Sequence, residues 1–229
     1  MFSIPSLIIK IPSSYNLHIS PSTKETSVCR GQIIKISLLI LSLLFCSFIV
    51  NAQLQKTEYT ITFRGDSVGN MQFYKNEAGS NLYLKAVSNV KIRFLVKVNV
   101  QLEEISNFES GRLMYSNVSR IVNGKEKSAK KTKAAGNIYE ATSFGKPVPS
   151  TDKRIDYNLN MLYCKEPFDK QIIYSDNFQQ FLSVEEVAPH RYKIVLPDGN
   201  YNYYTFRDGI CHVAEVHHPL YTIFIRLNT

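Results

Sequence analysis

The chain has 229 residues, of which 44% are hydrophobic and 12% aromatic, with a formal net charge of +8 at pH 7. Removing the N-terminal 52 residues, which form the leader described next, lowers the 27 basic and 19 acidic residues to 23 and 18, a net charge of +5. This length suits one domain with a real hydrophobic core, and the mild positive charge is compatible with an anionic partner such as a membrane surface but is not the footprint of a nucleic-acid-binding protein.

An export signal occupies the end of the leader. The apolar run 36–50 has 15 residues and follows Lys35. Val50 and Ala52 supply the aliphatic and small residues that a cleavage site requires, so the segment is typical of a secretory signal peptide. The run is too short for a bilayer core, which needs about 20 residues. We predict cleavage after Ala52, a mature chain from Gln53, and a periplasmic or secreted location.

The preceding residues 1–30 are unusually long for the charged segment of a signal peptide. No methionine lies between Met1 and Met71, so we interpret 1–30 as a leader or a misassigned start and 31–52 as the signal peptide. An uncleaved anchor is the alternative. A lipoprotein is rejected, because Phe45 rather than a small residue precedes Cys46. Residues 53–229 are predicted to form a single β-rich domain.

The mature chain opens with alternation of period two, which is typical of half-buried strands. Residues 57–64 alternate, with Tyr59, Ile61 and Phe63 on one side, and 71–74 return as a second strand.

The turn between these two strands contains Gly65-Asp66-Ser67-Val68-Gly69, which satisfies the G-x-S-x-G pattern of a serine nucleophile. A nucleophile elbow requires a helix after the serine. Here residues 70–76 alternate like a strand, and the Asp-x-x-His expected downstream in small serine esterases is absent from the sequence. We interpret the motif as a turn and keep a serine esterase using Ser67 as a remote alternative.

The strongest pattern of the chain covers 82–102, where even-numbered positions are almost all apolar and odd positions are largely polar. A helix would scramble this parity, so the stretch is predicted to be β. Twenty-one residues would reach about 70 Å as one strand, far beyond ordinary lengths. We therefore expect a bend or break near 88–91, with a second irregularity or helical turn at Phe94-Leu95.

Further strands are predicted at 113–122 and 125–133, joined by Asn123-Gly124, which is a strong hairpin signal. The second of these carries five lysines: Lys125, Lys127, Lys130, Lys131 and Lys133. They are able to contact anionic lipid headgroups in a peripheral membrane contact. We favour an edge strand, on which lysines prevent unwanted pairing.

The next elements are a strand at 138–142, a loop at 146–156 and a short helix at 158–166. Hairpins then follow, with predicted strands at 181–187, 190–196, 201–206, 210–216 and 221–227. Strands separated by turns without intervening helices indicate an antiparallel architecture. We predict an all-β fold, or β with one short helix, built as a large curved antiparallel sheet that resembles a barrel or half-barrel.

Two cysteines remain after cleavage, Cys164 and Cys211. In an oxidising compartment they can form a disulfide, which the chain-entropy model values at about 4 kcal/mol. Free buried thiols are the alternative, and the sequence does not decide between them.

The C-terminal part also contains a set of metal-ligand types: Cys211, His212, Glu215, His217 and His218. Ligands must converge on one point. On a strand Cys211 and Glu215 share a face while His212 points away, so we predict a surface or turn histidine pair and no metal site.

Aromatic residues are concentrated in the same region: Tyr192, Tyr201, Tyr203, Tyr204, Phe206, Tyr221 and Phe224. Their default role is cross-strand packing, and the alternative is lining an apolar ligand cavity of the kind that barrels enclose. The sequence shows no phosphate loop, paired-carboxylate signature or dinucleotide fingerprint, so no cofactor is predicted.

The order of these features resembles a family of exported bacterial β-domains classed only as a domain of unknown function. The resemblance rests on Gly65-x-x-x-Gly69, the alternating segment 82–102, Asn123-Gly124 and the 199–209 hairpin. It implies an envelope location and a fold similar in outline to the half-barrels of periplasmic lipoprotein carriers. It brings no catalytic residues.

We therefore predict a non-enzymatic periplasmic or envelope domain that holds a lipid-like or other apolar ligand in its curved sheet. An interaction or scaffold domain with a protein partner in the envelope is the alternative. The sequence does not identify a ligand.

Overall fold

The computed structural model describes residues 54–93 and 97–228, which form fourteen strands and one 3₁₀ helix, Leu159–Tyr163. The predicted all-β class and large antiparallel sheet are confirmed. In chain order the strands are β1 Gln55–Phe63, β2 Asp66–Ala78, β3 Asn81–Arg93, β4 Lys97–Glu109, β5 Arg112–Val122, β6 Lys125–Ala135, β7 Ile138–Ser143, β8 Lys146–Val148, β9 Ile172–Ser175, β10 Gln180–Ala188, β11 Arg191–Val195, β12 Tyr201–Arg207, β13 Ile210–His218 and β14 Tyr221–Leu227. Within the same two ranges, no helix is long and apolar enough to cross a membrane. The predicted signal peptide, its cleavage site and the Phe94-Leu95 doublet lie outside the described residues.

Strands that follow one another in the chain are also neighbours in the sheet. The order runs from β8 back to β1, then from β14 back to β9. The pairing of β1 with β14 joins the two halves, with Ile61 opposite Ile225. The first and last strands therefore lie in the middle of the sheet, and β8 and β9 form its edges.

Tight turns explain this hairpin order. Asn123 and Gly124 have φ angles of 50° and 77°, in the left-handed region that a two-residue type I′ turn requires at both positions. The Asn123 side chain also accepts a hydrogen bond of 2.8 Å from the backbone N–H of Asn99. The predicted Asn-Gly hairpin is confirmed.

The alternating stretch 82–102 is two strands, but the expected break at 88–91 is wrong. Strand β3 continues to Arg93, and β4 begins at Lys97 directly opposite it. Parity is kept through β3, where Leu84, Ala86 and Ser88 are buried. The chain reverses as a hairpin instead of bending, because antiparallel pairing satisfies the backbone groups of two thirteen-residue strands.

The two edges of the sheet are connected by side chains and not by a strand ladder. The Gln179 side-chain amide donates hydrogen bonds to the carbonyls of Lys131 and Thr142, at 3.0 and 3.1 Å. The Thr132 and Tyr174 hydroxyls are 3.2 Å apart and hydrogen-bonded. Residues beside edge strand β9 thus contact β6 and β7, and the sheet curls into a barrel-like form.

The chain between the edge strands packs in the interior as a plug, defined here as residues 155–164. Ile155, Tyr157 and Leu162 are at most 1% exposed, and the backbone N–H of Leu113 donates to the Ile155 carbonyl at 2.8 Å. The helix predicted at 158–166 is a five-residue 3₁₀ turn. Its buried position was not foreseen.

Two of the observed strands were not predicted from the sequence. Strands β8 and β9 have three and four residues, too few for alternation to stand out. The first lies in the segment 146–156 that was predicted to be a loop.

The expectation that the lysine-rich strand is an edge is wrong from Lys130 onward. Strand β7 pairs with β6 from Lys130 to Ala135, and β8 is the edge. Lys130 also points inward, beside buried Ser128 and Thr132, while Lys131 and Lys133 are exposed. Burial and the nearby charge of Arg120 lower the pKa of Lys130. The peripheral membrane contact of the five lysines stays a prediction.

Candidate functional site

The interior contains a cavity of about 250 Å³ between the plug and the concave face of the sheet. Its walls are mainly apolar. Apolar lining residues include Met71, Leu102, Leu159, Leu196, Val216 and Ile225. An apolar cavity of roughly 150 Å³ already holds a benzene molecule, so this space is large enough for a small ligand.

The polar part of the wall centres on Glu104, which lies on the inner face of β4. Glu104 is half-buried and lines the cavity. Burial raises its pKa to about 7, the negative charge of Asp176 acts in the same direction, and Arg120 opposes both. Glu104 is therefore partly protonated near neutral pH.

Asp176 is the second buried carboxyl, and it follows edge strand β9. It is 5% exposed, and its Oδ2 accepts a 2.6 Å hydrogen bond from the side-chain amide of Asn158. Burial raises its pKa to about 6, although the nearby Ser116 hydroxyl and the hydrogen bond from Asn158 partly oppose the shift. The negative charge of ionised Asp176 therefore favours the protonated form of Glu104.

The Asn158 side chain connects the plug to Ser106 on β4 and to Asp176 after β9. Its Oδ1 caps the 3₁₀ helix by accepting from the Met161 N–H at 3.1 Å. Its Nδ2 donates to Ser106 Oγ at 2.7 Å in addition to Asp176. Loss of this side chain would remove three hydrogen bonds from a fully buried position.

A buried amide without a full set of partners lines the same cavity. Asn202 is 8% exposed, its Nδ2 donates to the Tyr204 hydroxyl at 3.3 Å, and its Oδ1 has no partner. Buried polar atoms are nearly always hydrogen-bonded. The unpaired end of this amide therefore marks a place where a bound molecule would gain a hydrogen bond.

Aromatic rings close the side of the cavity next to the plug. The Tyr163 ring packs edge-on against Tyr59 and Tyr204, with centroids 5.4 and 6.4 Å apart. The Tyr59 hydroxyl donates to the carbonyls of Tyr163 and Cys211, at 3.2 and 3.1 Å. Desolvation raises the pKa of Tyr163 and Tyr204, so both are neutral phenols.

The C-terminal aromatics divide between the two faces of the sheet. Tyr192, Tyr204 and Phe206 are at most 5% exposed and belong to the core, as the packing interpretation predicted. Tyr201 and Tyr203 alternate with them and lie on the outer face. Of the seven predicted aromatics, Tyr204 lines the cavity.

The backbone around Ser67 does not form a nucleophile elbow. It is exposed on β2, opposite Thr62 at a bulge in the pairing with β1. A strand follows it, as the sequence indicated.

The metal-ligand types on β13 do not share the face that the sequence suggested. A bulge between Thr205 and Phe206 places buried Cys211 opposite Phe206 but Glu215 opposite Tyr203. Phe206 and Tyr203 are three residues apart, hence on opposite faces. Within the described residues, no group of three His, Cys, Asp or Glu side chains is placed to hold a metal.

His217 binds protein groups on the outer face. His217 Nε2 is 3.2 Å from Glu215 and its Nδ1 is 3.1 Å from the Thr222 hydroxyl. The His218 ring stacks on Tyr221 at 4.5 Å.

Cys164 and Cys211 are free thiols in this structure. Cys211 is fully buried and Cys164 half-buried. Their pairing stays a prediction.

The polar residues around the cavity were not predicted from the sequence, although the alternating pattern contains a signal for one of them, Glu104. Continuing the even-numbered parity of 82–102 places Glu104 on the inner face, where a carboxyl is out of place. Asp176 and Asn202 carry no comparable signal, because a turn and a tyrosine-rich strand both accept polar residues.

Taken together, the curled sheet, the plug and the cavity between them define a class, the antiparallel β-barrel-like domain with an interior cavity. A family model described as a domain of unknown function (DUF6134) matches residues 59–228, and the chain belongs to this family. The resemblance to a family without established function is thereby confirmed.

Comparison with other known proteins adds two findings. No curated protein matches the chain. Among solved structures, it is similar to a beta-barrel-like protein of domain of unknown function DUF1849 from Brucella abortus, with 10% identity, a TM-score of 0.48, and coverage of 79% of this chain and 98% of that chain.

Proposed function

We propose that this chain is an exported, non-enzymatic envelope or periplasmic domain that binds a small apolar or lipid-like molecule in its interior cavity. The observation that supports this is a cavity of about 250 Å³ with mostly apolar walls, next to a cluster of buried hydrophobic side chains. Void space costs packing energy, so its presence favours an occupant.

The cavity volume limits the ligand. Ordinary small-molecule pockets are about 300–1,000 Å³, and this one is below that range. A complete two-chain lipid does not fit, whereas a compact apolar molecule or one short chain does.

Native mass spectrometry of the protein purified from the cell envelope, with organic extraction of its ligands, tests the proposal. We expect a bound molecule in the wild type and its loss in Val216→Phe, which fills the cavity from β13. Val213→Phe is the matched control, because Val213 lies on the same strand but on the outer face. If the wild type contains no extractable molecule, ligand binding is contradicted.

Export is tested separately, by fractionation and N-terminal sequencing of the protein produced from its own start. We expect a periplasmic or secreted chain that begins at Gln53. A cytoplasmic chain that retains residues 36–50 would contradict this part of the proposal.

A scaffold role is the second candidate, supported by the outer face of β11–β13. There the Arg191 guanidinium lies 4.4 Å from the Tyr203 ring centroid, and Lys193 lies 5.1 Å from that of Tyr201. Aromatic and arginine side chains are enriched in interfaces. Crosslinking in the periplasm distinguishes the two candidates, since a small-molecule binder requires no stable protein partner.

A further inference from the structure

We propose that the ligand of this cavity has a cationic amine head group, which binds Glu104, and a short apolar tail. The inference rests on the proposed function and deepens it by naming the chemical class of the ligand.

The first observation is a half-buried carboxyl that lines the cavity and forms no ion pair within the described ranges. Glu104 lines the cavity, and among the described residues it forms no ion pair or hydrogen bond. Arg120 acts on it only weakly, after desolvation and the opposing charge of Asp176. A buried charge is normally paired, and a ligand cation would supply the missing partner.

The second observation is independent of charge. Asn202 is buried, lines the same cavity and has an unpaired Oδ1. The Tyr204 hydroxyl, its neighbour at 3.3 Å from Nδ2, lies on the same wall. An ammonium group has three N–H donors, and Glu104, Asn202 and Tyr204, which all line this cavity, each carry an oxygen of the type that accepts such a donor.

The rest of the lining selects against an anionic head. A carboxylate placed here would meet the charges of Glu104 and Asp176, and like charges in a poorly solvated interior repel strongly. Of the other ionisable groups whose interactions with Glu104 are shown, Tyr163 and Tyr204 are neutral phenols, and the charge of Arg120 acts on Glu104 less than desolvation and the charge of Asp176 do. A fatty acid is therefore a poor fit, whereas an alkylamine matches both ends of the cavity.

The test compares three probes with one tail and different heads: hexylamine, hexanol and hexanoate. Isothermal titration calorimetry of the wild-type protein, after extraction of any resident molecule, measures each affinity. Because loss of a charge-assisted hydrogen bond typically weakens binding roughly tenfold or more, we expect hexylamine to bind at least tenfold more tightly than hexanol. Hexanoate is expected to bind most weakly.

Two variants assign the effect to one side chain. Glu104→Gln is isosteric, and we expect it to weaken hexylamine binding roughly tenfold while leaving hexanol unchanged. Glu103→Gln is the control, since Glu103 is the next residue of β4 but pairs with Lys85 on the outer face, at 2.8 Å. It should alter neither affinity.

The outcomes separate this inference from the proposal on which it rests. If hexanol or hexanoate binds as tightly as hexylamine, or Glu104→Gln leaves hexylamine binding intact, the amine head is wrong but the cavity still binds ligands. If none of the three probes binds and Val216→Phe changes nothing, the ligand-binding function itself is overturned. The probe comparison uses only wild-type protein, so it remains decisive even if a variant does not fold.

Discussion

At the scale of single residues, two adjacent glutamates on β4 show how the face of a strand decides chemistry. Glu103 forms an ion pair with Lys85 on the outer surface. Glu104 points inward, where burial raises its pKa to about 7. The side chains are identical, so the difference comes entirely from the direction in which each one leaves the backbone.

The raised pKa of Glu104 predicts a pH-dependent stability. The folded state holds this proton more tightly than the unfolded state, in which the pKa is near its ordinary value of 4.5. Stability is therefore lost as the pH rises from about 4.5 to about 7. Glu104→Gln removes this loss, and we expect it to be more stable than the wild type by about 2 kcal/mol at high pH.

Urea unfolding at about pH 5 and about pH 8 measures this effect. The difference in the free energy of unfolding between Glu104→Gln and the wild type should be small at the lower pH and largest at the higher pH. Asp176, whose pKa is raised to about 6, leaves a smaller pH dependence in the variant. An advantage of equal size at both values, or none, would contradict the assignment, and Glu103→Gln is the matched control.

The two cysteines give a second prediction at this scale. Burial raises the pKa of the Cys164 thiol to about 11 and that of Cys211 to about 12. Since the thiolate is the reactive form, the reduced, folded protein should react with iodoacetamide far more slowly than the unfolded protein, as followed by mass spectrometry. Fast labelling of the folded chain would show that the thiols are not buried in this way.

The same labelling decides the disulfide. A chain that lacks residues 1–52, and with them Cys29 and Cys46, is isolated without reductant, unfolded and then alkylated. Two added groups mean two free thiols, whereas none means that Cys164 and Cys211 are paired.

At the scale of elements, β2 and β3 approach each other most closely at Gly69, which is opposite Val90. A Cβ at this position would lie 2.9 Å from Val90 Cα and closer still to the Asn89 carbonyl oxygen. Both neighbours are backbone atoms of a paired strand, so they cannot move without disturbing the ladder. The close packing of two strands therefore explains the second glycine of the G-x-S-x-G pattern, Gly69.

We expect Gly69→Ala to destabilise the domain by about 2 kcal/mol or more, as overpacking of backbone typically does. Chemical denaturation measures the change. Asn70→Ala is the control, because Asn70 is the next residue of β2 and is exposed on the outer face. Equal stabilities of the two variants would contradict the close approach.

At the scale of the whole molecule, the first and last strands hold the two halves of the sheet together. Ladder pairs such as Tyr59 with Leu227 join β1 to β14, and the Asn228 N–H donates to the Glu58 carbonyl at 2.9 Å. The edges at β8 and β9 carry fewer ladder bonds, since those strands have three and four residues. The end of the described sequence is therefore at the centre of the sheet.

Deletion of 221–229 is expected to prevent folding, because it leaves β1 and β13 unpaired on facing sides. Far-UV circular dichroism should show loss of the β signal. Replacement of 146–148 by Gly-Ser-Gly at the sheet edge is the control, and it should leave a folded domain. A truncated chain that unfolds cooperatively with wild-type stability would contradict the central role of β14.

The sequence predicted strands well and the plug poorly. Most strands have seven or more residues, long enough for alternation and turn glycines to mark them. The lysine-rich strand was misplaced because lysine content indicates exposure but not whether a neighbour pairs with the strand. The face of Cys211 was misassigned because a bulge, which inserts one residue into the pairing, changes parity locally.

What the sequence by itself determined is the β class, the inward and outward parity of the long strands and the Asn-Gly hairpin, all of which depend on residues close in the chain. Only the tertiary structure decided that β1 pairs with β14, that 155–164 packs in the interior and that Glu104 and Asn202 line one cavity. These contacts join residues separated by tens to more than a hundred positions. Local alternation contains no information about which distant strand will close the sheet or how much space remains inside it.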